Sequence, residues 1–167
     1  MRSEKSVILQ LSQIESSMTS YSLIVNDLPR QIEADETTPL LYVLRNKLGI
    51  FSPRYGCGSE QCGACVVLKN GKAIYSCTTQ IKDCVDSHIT SVEGLHAVHP
   101  VQKALLQANA AQCGYCLSGI LMRAVQLLDD NPSPTRKEIQ SVLATHLCRC
   151  GAHNRIIGAI EKAAAHD

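Results

Sequence analysis

Eight of the nine cysteines in this 167-residue chain fall into two sets whose spacing suits metal ligation. Cys57, Cys62, Cys65 and Cys77 follow C-x4-C-x2-C-x11-C, and the first three have the plant-type spacing that holds a [2Fe–2S] cluster. Four thiolates must reach two irons bridged by sulfide, so such a loop has to wrap closely around a compact inorganic core. Gly56, Gly58 and Gly63 lie within it, where glycine lets backbone N–H groups approach negatively charged sulfurs. A zinc site more often uses paired C-x2-C knuckles and has no need of that glycine density. The second set is Cys113-x-x-Cys116 and, 31 residues later, Cys148-x-Cys150. Alone, Cys113 and Cys116 could ligate zinc, hold an iron–sulfur cluster or cycle as a dithiol. No βαβ pattern surrounds them to favour the dithiol, but spacing leaves zinc open. Cys84 is left over and reads as a small buried thiol. His88, His96, His99, His146 and His153 read as surface or capping groups, because eight cysteines already complete two sites. Arg149 and Arg155 flank the second set as tuning, partner-facing or solvated charges.

The elements that must position these residues change character along the chain. Residues 1–19 are polar and unpatterned, which predicts a loose arm, and Met18 is a candidate start of translation. A strand follows from Tyr21, with a turn at Asn26-Asp27 and a second strand through Ile32 to Ala34. Thr38 is placed to cap a helix with Pro39 at its first position, apolar Leu40, Val43 and Leu44 on one face, and Gly49 closing it. After the cysteine loop, strands at Cys65–Leu68 and Ala73–Ser76 are joined by Asn70-Gly71, a hairpin signal. A last strand covers His88–Val92. Beyond Gly94 the periodicity is helical throughout. Pro100 starts one helix, Leu117–Leu128 form a second, Thr135 and Glu138 make a capping box for a third, and Ile156–Ala164 form the fourth. These patterns predict an α+β fold with an arm (1–19), a mixed sheet unit (20–95) and a four-helix unit (96–167). Both members of the second cysteine set then fall at helix ends, where N-terminal dipoles favour thiolates.

Bulk properties exclude several classes. Sixteen Lys and Arg against 15 Asp and Glu leave a net charge of +1, with no basic field for nucleic acid. No apolar run approaches the roughly 18 residues of a membrane span, and Arg123 interrupts the best candidate. With one Phe and no Trp, the core must be aliphatic. An odd, high cysteine count without a secretory pattern favours a reducing compartment and metal-bound thiolates over disulfides. No phosphate loop, Ser/His/Asp set or catalytic carboxylate pair is visible, so the chain has no substrate chemistry of its own.

YGCGSEQCGACVV (55–67), QCGYC (112–116) and LCRCG (147–151), in this order, resemble the small iron–sulfur subunits of the xanthine oxidase family of molybdenum hydroxylases. TPLLYVLRNKLG, His99-Pro100-Val101-Gln102 and Pro134-Thr135-Arg136 share in the resemblance, which covers about residues 21–162. It implies an N-terminal β-grasp, plant-type ferredoxin domain followed by a C-terminal four-helix-bundle [2Fe–2S] domain. Cys57, Cys62, Cys65 and Cys77 would bind the outer cluster, and Cys113, Cys116, Cys148 and Cys150 the inner one. Gln112 and Cys150 would contact a molybdopterin cofactor held by a large subunit. Electrons would pass on to FAD in a further subunit, or to the haem of a cytochrome c. The substrate would be an N-heteroaromatic compound or aldehyde. The compartment would be the cytoplasm, with a periplasmic or membrane-associated location reached only through a partner. A freestanding two-cluster carrier or redox sensor is the alternative, and a zinc-stabilised interaction module stands last. Two positions depart from the family pattern: Leu117-Ser118-Gly119 stands for Thr-Pro-Gly, with Ser118 able to cap the helix, and Asn26-Asp27 stands for Asn-Gly.

Overall fold

The computed structural model describes residues 18–165; the expected arm lies outside them except for Met18 and Thr19, which open the first strand. Strand β1 (Met18–Val25) turns at Asn26 and Asp27 into β2 (Leu28–Asp35). Both turn residues have positive φ, 51° and 65°, and the Asn26 side chain bonds to Ser91, so a glycine is dispensable there. Strands β3 (Val66–Lys69) and β4 (Lys72–Tyr75) form the hairpin expected at Asn70-Gly71, and β5 (His88–Thr90) completes the sheet. The order is β2-β1-β5-β3-β4, with β1 and β5 parallel and the other pairs antiparallel. The strand expected to run to Val92 stops at Thr90, and a short 3₁₀ helix begins at Val92.

Helix α1 (Leu40–Tyr42) widens into a π-helical turn at Val43–Lys47. Thr38 is not its cap. Pro39 holds that position without a side-chain bond. The first free N–H groups go instead to the segment after β4: Leu40 N donates to Thr79 O at 2.8 Å and Leu41 N to Ser76 O at 2.9 Å. A neighbouring strand end thus does the work a threonine hydroxyl was expected to do. Four further helices follow: α2 (Pro100–Gln107), α3 (Leu117–Asp130), α4 (Arg136–Val142) and α5 (His153–Ala164). His99 caps α2 and pairs with Gln102 in a capping box; Thr135 and Glu138 form another on α4.

The α+β architecture has two cores that meet across one strand. Val67 of β3 packs with Leu40, Val43, Leu44, Leu23 and Ile89 on the α1 side of the sheet. Val66 and Leu68 of the same strand pack with Ile120, Ala124, Ile156 and Ile160 of the helices. All three β3 side chains are at most 5% exposed, each burial contributing roughly 1.5–3 kcal/mol. No helix among the described residues is long and apolar enough to cross a membrane.

Candidate metal centres

The outer cysteine loop runs from α1 to β3, and its entry is clamped before the first cysteine arrives. Arg45 Nη1 donates to Phe51 O and Pro53 O, both at 2.8 Å, with its guanidinium over the Phe51 ring. Ser52 donates through its N–H and hydroxyl to the Glu93 carboxylate. The loop then turns its amides on its own sulfurs. Ser59 N and Gln61 N donate to Cys57 Sγ at 3.3 and 3.2 Å, and Cys57 N donates to Cys62 Sγ at 3.3 Å. Gly56 is needed for that approach, since a Cβ there would lie 2.6 Å from Cys62 Sγ. Cys65 ends the loop and Cys77 follows β4, both buried; Ser76 Oγ ties the two strands by donating to Cys65 O at 2.6 Å.

These surroundings separate the thiols. What burial Cys57 has raises its pKa, but the Ser59 and Gln61 amides outweigh it and bring the thiol down to about 6. Burial, helped by the neighbouring Cys77 thiol and opposed by the Cys77 amide, pushes Cys65 up to about 12. One thiolate is thus available near neutral pH while a buried partner holds its proton until a cation replaces it. Donor amides, soft sulfur ligands and a glycine-lined cradle fit a negatively charged iron–sulfur group.

The inner set is built from two helix entrances. Cys116 is the N-cap of α3, and Cys148 and Cys150 precede α5, whose N-cap is Ala152. All four cysteines line one small cleft with Gln112 and Ile156. Gln112 Nε2 donates to Cys150 O at 3.2 Å, tying the entrances together across the mouth. The Tyr115 amide, with Cys150 alongside, lowers the Cys113 thiol. Burial raises Cys148, yet the Ala152 amide and the Cys116 thiol outweigh it and hold it low. Burial, followed by Cys148, pushes Cys116 up to about 12. Arg155 bonds to Asn109 O at 3.2 Å, bracing α5 on the end of α2.

The two sites abut at a junction that sequence reasoning missed. Leu147 N donates to Cys62 O at 3.1 Å, joining the inner C-x-C segment to the outer loop. The Tyr115 hydroxyl donates to Tyr55 O, and Arg54 lies over the Tyr115 ring at 5.2 Å. A Cβ on Gly119 would overlap the Gly63 carbonyl, so α3 touches the outer loop backbone to backbone. The imidazole of His146 fills the remaining space beside Gly63. Expected at the surface or as a cap, it is 1% exposed, and neither ring nitrogen has a hydrogen-bond partner. Burial first, then Arg123 and His153, brings it down to about 4. Ser118 does not cap α3; its hydroxyl is buried at the same helix end without a partner. The available signal was Gly119, a glycine inside an otherwise helical pattern. Cys84 is the buried thiol expected, away from both sets, with burial raising its pKa.

Residues 6–116 match the 2Fe-2S iron-sulfur cluster binding domain family, and residues 91–161 match the [2Fe-2S] binding domain family. Fold and sites therefore define a [2Fe–2S] protein of α+β architecture. A nicotinate dehydrogenase subunit from Pseudomonas putida is 45% identical over 149 residues, which are 87% of this chain and 95% of that one. Quinoline 2-oxidoreductase from Pseudomonas putida 86 superposes with a TM-score of 0.85 at 32% identity, covering 89% of this chain and 94% of that chain. The aldehyde oxidoreductase of Desulfovibrio desulfuricans superposes with a TM-score of 0.84 at 35% identity, covering 89% of this chain but 17% of that one. The chain belongs to the electron-transferring [2Fe–2S] subunits of the xanthine oxidase family of molybdenum hydroxylases.

Proposed function

We propose that this chain carries electrons out of a molybdenum hydroxylase through two clusters, the inner held by Cys113, Cys116, Cys148 and Cys150 and the outer by Cys57, Cys62, Cys65 and Cys77. Each [2Fe–2S] group supplies one-electron chemistry when bound, and the protein sets its burial, charge and distance from the other. The observation that carries the reading is the junction itself: both cysteine sets meet at Gly63, Gly119 and the Leu147–Cys62 hydrogen bond. Gln112, bonded to Cys150 at the inner mouth, is the proposed contact to a molybdopterin held by a large partner subunit. Electrons enter there and leave from the outer loop to FAD or a cytochrome. The sheet unit (20–95), in β-grasp form, holds the outer cluster, and the helical unit (96–167) holds the inner one. The cytoplasm is the proposed compartment. An N-heteroaromatic compound is the proposed substrate class, because nicotinate and quinoline name the relatives that this chain spans almost end to end.

The test is the native complex purified through a tag on this chain. The expected findings are about four irons and four acid-labile sulfides per chain, two distinct one-electron EPR signals, and a large subunit containing molybdenum. Zinc without sulfide sinks the cluster assignment. Both clusters with no molybdenum partner would make the chain a freestanding carrier.

A further inference from the structure

The inner entrances do not stand on the helical core alone; each is pinned to the outer loop. The Tyr115 hydroxyl, between Cys113 and Cys116, donates to Tyr55 O. Leu147 N, one residue before Cys148, donates to Cys62 O at 3.1 Å. Gly119, in the first turn of α3, meets the Gly63 carbonyl, and the ring of His146 rests on Gly63 itself. All four anchors fall on residues 55–64, the stretch that carries Cys57 and Cys62.

The outer set has no matching debt to the helices. The amides on its sulfurs come from Cys57, Ser59 and Gln61 and, at Cys65, from Cys77. No described residue beyond 95 donates a hydrogen bond to an outer sulfur. Arg54 N donates to Ala64 O at 3.0 Å, closing the loop on itself, and Leu41 and Tyr75 pack against Cys65 and Cys77. The inner set's own cross-link, Gln112 Nε2 to Cys150 O, lies exposed to water.

We infer that the outer cysteine set takes its cluster first, and that its loop, once loaded, is the platform that positions both inner entrances. This rests on the reading that each cysteine set holds a [2Fe–2S] cluster. Two ferric ions, two sulfides and four thiolates make up each oxidised cluster, and every ligand thiol releases its proton as it binds iron. Before ligation, a glycine-rich loop keeps the backbone freedom that binding takes from it. While it moves, Tyr55 O and Cys62 O move with it, and the inner sulfurs lose their fixed spacing. Coupling between two sites is reciprocal, so the order comes from what each set retains alone. The outer set retains its amides; the inner set gives up its anchors.

The experiment strips the full chain of iron and rebuilds it without oxygen from ferric iron, sulfide and excess thiol. Samples frozen during the rebuilding are reduced with dithionite and read by EPR, with iron and sulfide counted. In the unmutated chain one signal should rise before the other, which gives a reading free of substitution. Cys113→Ala should keep the early signal at parental size and lose the late one. Cys57→Ala should lose the early signal and cut the late one by about tenfold or more. Two signals that rise together in the unmutated chain, or a full late signal in Cys57→Ala, overturn the order. Loss of both signals in Cys113→Ala overturns it as well, by making the dependence mutual. An unmutated chain that takes up metal without sulfide would instead remove the cluster reading beneath the proposal.

Discussion

The two cysteine sets solve one problem by opposite means. The outer one is local: Cys57 to Cys77 lie within one loop and one hairpin, and the loop's own amides hold its sulfurs. The inner one is assembled from two segments 31 residues apart, and nothing joins them until α3, α4 and α5 have packed. A local site is preorganised by short-range hydrogen bonds, whereas a non-local one inherits its precision from the core beneath it. Ile120, Ala124, Ile156 and Ile160 in the helical core are therefore as much a part of the inner site as its sulfurs.

The sharpest way to break this contrast is to remove one ligand. Cys148→Ser should abolish the inner EPR signal, halve the iron and end turnover, while the outer signal keeps its shape. Loss of both signals would show that the outer loop is not self-sufficient. Next in size is Gly119→Ala. Its methyl group meets a carbonyl that cannot step aside, at a cost of about 3 kcal/mol and a drop in Tm of about 6–12 °C. Gly158→Ala on α5, with open space around it, serves as the control and should hold or slightly raise Tm.

A third test is titration of the junction. His146 has a folded pKa of about 4, below its ordinary 6.5, so the unfolded chain binds the extra proton. Stability should therefore fall by about 1.4 kcal/mol per pH unit as pH drops from 6.5 towards 4. His146→Leu removes that contribution and two unsatisfied nitrogens together. Its urea midpoint should exceed the parent's near pH 7.5 and exceed it by a wider margin at pH 5, and an equal margin at both would put His146 outside the pH effect. The smallest expected change is from Gln112→Ala, a several-fold loss of turnover with both clusters retained. Undiminished turnover would remove Gln112 from the electron entry.

Much of this was legible because it is local. Cysteine spacing, the Asn70-Gly71 turn and the Thr135–Glu138 capping box each need only a few neighbouring residues, and the turn and the box stand where expected. The misreadings share a different cause. Thr38 and Ser118 are capping residues by type, but at Thr38 a distant strand end had already satisfied the helix amides, and at α3 Cys116 holds the cap position. His146 is polar by type, yet its place is fixed by the meeting of two loops more than 80 residues apart in sequence. Nothing within a short window encodes that meeting except a glycine in α3.

Strand β3 carries a consequence for how the chain folds and melts. Its Val67 belongs to one core and its Val66 and Leu68 to the other, so neither core can open while the other keeps this strand whole. Cutting the chain between residues 95 and 96 would strip one face of β3 and leave an aggregation-prone half. The two halves should cross a single cooperative transition, and the boundary so plain in sequence periodicity is no boundary for unfolding.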